Sequence, residues 1–274
     1  MTVNNVVGCR IRLQRLYRHD SSSLFVVPLD HSVTDGPITR NGQLNRLIGQ
    51  LAGNGVDAVV MHKGALRHVE VGWFRSLSLI VHLSASTRRA PDPDAKYLVS
   101  SVEEALRLGA DAVSVHVNVG STTEGQQIAD LATVAEACDR WGVPLLAMLY
   151  PRGPQIADGR APELVAHAAA IAADLGADLV KSALPASAAG IAAVTASCPV
   201  PVLAAGGAPS PGANDVMRHL ADAMRAGAGG IAAGRLVFTA ADPAVAARRV
   251  AALVHDRTAA SGASATYSAP GGAR

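Results

Sequence analysis

A three-residue turn recurs along the chain: Gly55-Val56-Asp57, Gly109-Ala110-Asp111 and Gly176-Ala177-Asp178 each follow an Ala/Leu-rich segment of helical period and precede a short apolar run. Gly227-Ala228-Gly229 before Ile231 is a variant of it. A glycine in this place ends a helix in the left-handed conformation, and the run that follows is too apolar to own a solvent face. Strands buried on both faces and separated by helices form a parallel sheet. Runs at residues 24–29, 58–61, 79–83, 112–117, 144–149, 178–180, 201–205 and 230–233 supply eight strands. Eight strands alternating with helices over about 250 residues are what an α/β fold of the (β/α)8 TIM-barrel type requires. An open doubly wound sheet is the alternative, weakened because no G-x-G-x-x-G follows the first run. Residues 73–83 have mixed periodicity, so the third strand is expected to be partly helical.

One barrel accounts for most of the 274 residues, and the division expected is an N-terminal extension at 1–20, a barrel at 21–258 and a disordered Ser/Ala/Gly/Pro tail at 259–274. The extension is expected to place a helix on the barrel floor through Ile11, Leu13 and Leu16. Hydrophobic residues make up 49% and charged residues 17%, which excludes a disordered chain. A formal charge of +2 provides no field for nucleic acid or for an anionic membrane surface, so neither is expected as a partner. No stretch reaches the ~18 apolar residues of a membrane span. Cys9, Cys138 and Cys198 lack metal or dithiol spacing, and a reducing, cytoplasmic setting is expected.

In such a barrel the chemistry sits where the strands end. The polar residues just past the runs are Asp30-His31, His62-Lys63, His82 with Ser84, His116 with Asn118, Tyr150 with Arg152, Lys181-Ser182, Gly206-Gly207 and Gly234-Arg235. Lysine is scarce, with only Lys63, Lys96 and Lys181 in the chain. Lys181 follows an apolar run, where a desolvated amine can attack a ketone and form a Schiff base; the bland alternative is a snorkelling rim lysine. Lys63 occupies a similar place and is the rival. Tyr150 is suited to protonate a developing alkoxide, against plain packing. Asp30 ends a very apolar strand and is costly to bury without a task, which favours proton transfer over a structural ion pair. Gly206-Gly207 and Gly234-Arg235, at adjacent strand ends, have the makings of a phosphate cradle, with Arg235 adding a charge-assisted bond. His31, His62, His82 and His116 raise a metal cluster as an alternative, but no Cys or carboxylate co-ligands group with them, so no metal is expected.

Taken in order over residues 20–257, PLDH (28–31), MHKG (61–64), HLSAST (82–87), DAVSVHVNVG (111–120), YPRG (150–153), GADLVK (176–181), AGG (205–207) and GR (234–235) resemble the archaeal-type class I fructose-bisphosphate aldolases and their aminoheptulosonate-synthase relatives. The run PLDHSVTDGP at 28–37 is most similar to the branch that joins dihydroxyacetone phosphate to L-aspartate 4-semialdehyde and opens the route to 3-amino-4-hydroxybenzoate in secondary metabolism. The resemblance implies Lys181 as the Schiff-base lysine, Tyr150 as proton donor and Asp30 as proton acceptor. It implies substrate or phosphate contacts from His31, Ser32, Val33, Thr34, Pro151, Arg152, Gly206, Gly207, Gly234 and Arg235. No cofactor beyond the covalent lysine adduct is implied, and the assembly implied is a homo-oligomer. Ser182 stands where the family usually has threonine, and Leu236 where it usually has asparagine. Lys63, Arg152 and residues 84–88 are candidates for an acceptor carboxylate, with Asp35 for its ammonium. A fructose-bisphosphate aldolase and a non-catalytic phosphosugar-binding paralogue remain the alternatives.

Overall fold

Each Gly-x-Asp turn closes a small ring with the neighbouring strand. Gly55, Gly109 and Gly176 have φ of 77°, 85° and 96°, a backbone that residues with a side chain rarely adopt. They release the chain from the helices Leu44–Ala52, Val102–Arg107 and Pro162–Asp174. The aspartate that follows then bonds one residue twice. The Asp57 amide donates to the Phe25 carbonyl at 3.0 Å, while the Phe25 amide donates to Asp57 Oδ2 at 2.7 Å. Asp111 repeats the pair with Leu79, and Asp178 with Leu145. The recurring motif is therefore a clamp that sets the register of a new strand against the one before it.

The computed structural model of the chain describes residues 7–19, 22–39, 43–207 and 213–255. Its strands are β1 (Leu24–Pro28), β2 (Ala58–Met61), β3 (Ser78–His82), β4 (Ser84–Ala85), β5 (Tyr97–Leu98), β6 (Ala112–Val119), β7 (Leu145–Pro151), β8 (Leu179–Ser182), β9 (Val202–Ala205) and β10 (Gly230–Ala232). Eight of them close a parallel barrel in the order β1-β2-β3-β6-β7-β8-β9-β10, with helices between successive strands. The (β/α)8 barrel is the fold expected, and the doubly wound alternative falls because β10 pairs with β1. β4 and β5 form a separate antiparallel ribbon in the excursion after β3. The mixed periodicity before β3 is a 3-10 helix, Val71–Arg75, that runs into the strand.

Alternation along the strands divides the core in two. Leu24, Val26, Ala58, Val60, Ile80, Ala112, Leu146, Met148, Leu179, Leu203 and Ala232 fill the barrel. Phe25, Val59, Leu79, Val113, Leu145, Val180 and Val202 pack outward under the helices. The helix Val7–Leu16 brings the fully buried Leu16, with Leu13 beside it, against the inner set. Ile11 does not join them and is 46% exposed. It lies about 200° around the helix from Leu13, whereas Cys9, Leu13 and Leu16 follow one stripe. Arg12 donates to the Gly142 carbonyl and Arg18 to the Leu77 carbonyl, tying this segment to the ends where β7 and β3 begin. The proposed tail at 259–274 lies outside the described residues. Among those described, no helix is long and apolar enough to cross a membrane.

Candidate active site

The same alternation decides which polar residues face the mouth. Continuing the inner row beyond Val60, Ile80, Ala112, Met148 and Leu179 gives His62, His82, Ser114 with His116, Tyr150 and Lys181. Their environments agree: His82 is 4% exposed and its Nδ1 lies 2.8 Å from Ser114 Oγ. The His62 and His82 rings meet edge to face at 5.3 Å, and His116 lies 5.0 Å from the Tyr150 ring. Lys181 is 8% exposed and directs Nζ at Met148 Sδ, 3.8 Å away, on its register partner in β7. Among the described residues it forms no ion pair.

Asp30 follows β1 and faces this group, its Oδ2 3.9 Å from His82 Nε2 and its Oδ1 3.7 Å from His31 Nδ1. These distances are too long for hydrogen bonds, and Oδ1 is buried without a partner among the described residues. Burial works to raise the Asp30 carboxyl, but His82, His31, Lys181 and His62 outweigh it and hold the group well below the usual carboxylate range. Burial also pushes the imidazoles down, His82 to about 4 in spite of the nearby Asp30 charge, with His31 and His62 lowered and His116 lowered strongly. At neutral pH the site thus sets an ionised carboxylate and one lysine among uncharged imidazoles.

The glycines expected to form an anion cradle stand at the ends of β9 and β10. Gly207 has φ of 65°, and a Cβ at Gly234 would stand 2.3 Å from the Pro28 carbonyl and 2.9 Å from His31, so backbone packs where a side chain would not fit. Gly234 opens the short helix Arg235–Phe238. Arg160, a residue the sequence reading passed over, brings Nη2 to 3.7 Å from the place of a Gly207 Cβ. It also lines a cavity of about 270 Å³ with Asp94, Tyr150, Pro151, Arg152 and Ala183. The Arg152 guanidinium lies 5.6 Å over the Tyr150 ring, and Nε is 4.0 Å from Asp94. A larger hollow of about 420 Å³, beside Gln43, Arg46 and Phe238, contains none of the inner-row residues.

His31, Ser32, Val33 and Thr34 form a single helical turn directly after Asp30, and the Arg88 amide donates to the Thr34 carbonyl across the mouth. Lys63 does not join the site. It opens the 3-10 helix Lys63–His68 just past the inner His62 and pairs with Glu104 at 2.8 Å. Asp35 is engaged by Arg88 at 2.6 Å. Ser182, one residue beyond Lys181, is fully buried with an unpartnered hydroxyl among the described residues. The four strand-end histidines do not gather their nitrogens as a metal set. Among the described residues one cluster of three has metal-like spacing, His19, Asp57 and His255, and there Asp57 belongs to the Gly-x-Asp clamp at the strand beginnings.

Lys96 is the second residue that sequence reasoning missed. It sits between β4 and β5, is 7% exposed, and bonds the Ser86 hydroxyl and the Pro93 carbonyl. Its rarity as a lysine was the available signal.

Comparison with known proteins places these features in a family. The model of the DeoC/LacD family of aldolases matches residues 24–240. A 2-amino-4,5-dihydroxy-6-oxo-7-(phosphonooxy)heptanoate synthase of Streptomyces griseus is 57% identical over 273 residues, which span 100% of this chain and 98% of that protein. A 2-amino-3,7-dideoxy-D-threo-hept-6-ulosonate synthase of Archaeoglobus fulgidus is 40% identical over 250 residues, 91% of this chain and 92% of its own. An archaeal fructose-1,6-bisphosphate aldolase, solved with its catalytic lysine covalently bound to the carbinolamine intermediate of the substrate, is 29% identical. It superposes with a TM-score of 0.79 over 90% of this chain and 99% of that one.

Proposed function

Since the chain belongs to the DeoC/LacD family of aldolases, we propose that it is a class I aldolase that makes the product for which its Streptomyces griseus relative is named. Cutting that seven-carbon product between C4 and C5 gives dihydroxyacetone phosphate as donor and L-aspartate 4-semialdehyde as acceptor. The observation that carries the reading is a buried lysine with no ion pair among the described residues, together with the Asp30 carboxylate, whose Oδ1 is buried, at the mouth of a barrel 57% identical to that synthase.

The donor phosphate sits on Gly206, Gly207, Gly234 and Arg235, which brings the donor carbonyl into the mouth. Lys181 attacks that ketone at C2, and loss of water leaves an iminium. Asp30 then removes a proton from C3, and the electron pair of the C–H bond neutralises the iminium to an enamine. An ionised carboxylate held so low is a weak base in the resting site. It strengthens in the reaction, because the enamine removes the positive charge facing Asp30 as the proton arrives. The enamine carbon adds to the acceptor aldehyde, Tyr150 gives its proton to the new alkoxide, and water releases the product from Lys181. The covalent amine supplies the electron sink, so no separate cofactor takes part in this scheme.

The test offers the purified protein dihydroxyacetone phosphate with either aspartate semialdehyde or glyceraldehyde 3-phosphate. A kcat/KM at least about tenfold higher for aspartate semialdehyde is expected, equivalent to ~1.4 kcal/mol of differential transition-state binding. The reverse preference returns the protein to a bisphosphate-aldolase activity.

A further inference from the structure

Lys96 is a cation more than nine-tenths buried, yet among the described residues its hydrogen-bond partners are neutral oxygens, those of Ser86 and Pro93. Among the described residues no carboxylate forms an ion pair with it. Ser86 is itself buried at 6% exposure, so solvent does not take the place of the missing anion. A second cation acts on the same space: Arg152 joins burial in lowering the lysine, and together they outweigh Asp94, Asp30 and Asp35, whose charges raise it without any of them forming an ion pair with it among the described residues.

The position of Lys96 is fixed from below. Asn118 Nδ2 and Gln127 Nε2 both donate to the Asp94 carbonyl, at 2.7 and 3.0 Å. Asn118 stands directly opposite Tyr150 in the β6–β7 register, and Arg152 reaches Asp94 from the end of β7. The segment that carries Lys96 is thus bound to the rim beside Tyr150, and its charge is felt by the inner-row His116 and His82. The phosphate cradle at β9 and β10 is on the other side of the barrel, separated from β6 by β7 and β8. An anion beside Lys96 is therefore not the donor phosphate. It belongs to the molecule whose carbonyl oxygen Tyr150 protonates.

We propose that Lys96 anchors the carboxylate of the acceptor aldehyde, with Arg152 as the second cation of that subsite. This rests on the functional reading above and deepens it, because it gives the rim a reason to select an aldehyde that carries a carboxylate. A purely structural lysine would serve equally well as a neutral donor to Ser86 and Pro93, without a charge to bury.

The difference is measurable with Lys96→Gln and Lys96→Met, each assayed with aspartate semialdehyde and with 3-aminopropanal, the same aldehyde with hydrogen in place of the carboxylate. Lys96→Gln keeps a donor for Ser86 and Pro93 but no charge. Both variants are expected to raise KM for aspartate semialdehyde at least tenfold, with a much smaller change in kcat, and to leave KM for 3-aminopropanal within about twofold. Borohydride trapping with dihydroxyacetone phosphate alone reports that each variant is folded; if Lys96→Met fails it, Lys96→Gln carries the comparison. A Lys96→Gln protein with wild-type KM for aspartate semialdehyde, or one in which both acceptors lose equally, overturns the inference and leaves Lys96 as a strut. Wild-type protein that does not consume aspartate semialdehyde overturns the functional reading itself, and the carboxylate assignment falls with it.

Discussion

The Lys181 Nζ lies 3.8 Å from the thioether sulfur of Met148, and these two residues face each other in the β7–β8 register. A thioether is a weak acceptor, so the contact packs the lysine stem without committing its nitrogen. Asp30 across the mouth is similarly uncommitted, with Oδ1 buried and unpartnered among the described residues. A structural ion pair would have brought the two together. Neither the amine nor the base is tied up by the other.

The roles assigned to Asp30 and Tyr150 separate by which half-reaction each variant loses. Asp30→Asn is expected to retain the borohydride-trapped adduct while exchange of the donor C3 hydrogen with solvent falls at least ~100-fold. Tyr150→Phe is expected to keep both adduct and exchange and to lose ~100-fold or more in carbon–carbon bond formation. Mass spectrometry of the trapped protein and proton NMR of the donor in deuterated water read the two steps independently. Loss of exchange in Tyr150→Phe with exchange intact in Asp30→Asn would reverse the assignment.

His82 gives the fold an acid sensitivity of defined sign. Its folded pKa, about 4, lies below the ordinary histidine value of 6.5, so between those limits the unfolded chain binds the proton and the folded one does not. Stability is full above pH 6.5 and falls as pH drops toward 4, by roughly 3 kcal/mol at most. Asp30, lowered instead, loses its contribution only below the ordinary carboxylate range, so the two effects occupy different windows. Urea titrations of wild type and His82→Asn at pH 7, 5.5 and 4.5 measure it: the variant should lose less stability over this range. An identical pH slope in the two proteins would show that His82 is not a buried neutral group.

The Gly-x-Asp clamp predicts a stability cost far from the mouth. Asp178→Ala leaves the Leu145 amide, buried at the start of β7, without the carboxylate that accepts it at 2.9 Å. A loss of ~1–3 kcal/mol is expected from denaturant unfolding, with kcat and both KM values near wild type in the folded protein. Unchanged stability would mean that the paired backbone bond suffices on its own.

Strand positions were legible because a buried parallel strand must be apolar on both faces, and the Gly-x-Asp turns punctuated them. The placement of Lys181 and Tyr150 on the inner row at the strand ends was legible because both follow such runs. Lys63 looked equivalent to Lys181 and is not, since β2 ends at Met61 and Lys63 already opens a 3-10 helix, whereas Lys181 lies within β8. The neighbour that takes the inner position there is His62. Lys96 was hidden for a different reason. Its place depends on Asn118 and Gln127 holding the Asp94 carbonyl from more than twenty positions away, a long-range contact that local pattern does not encode. Ile11 failed on helical phase, being apolar but off the stripe of Leu13 and Leu16.

A covalent donor adduct on Lys181 is the most direct consequence of the proposed chemistry. Purified protein is incubated with dihydroxyacetone phosphate, reduced with borohydride, digested and sequenced by mass spectrometry. The reduced donor is expected on Lys181 alone, in stoichiometric yield, unaffected by EDTA, and absent from Lys181→Met. An adduct on Lys63 or Lys96, or no adduct together with turnover that EDTA abolishes, would contradict it.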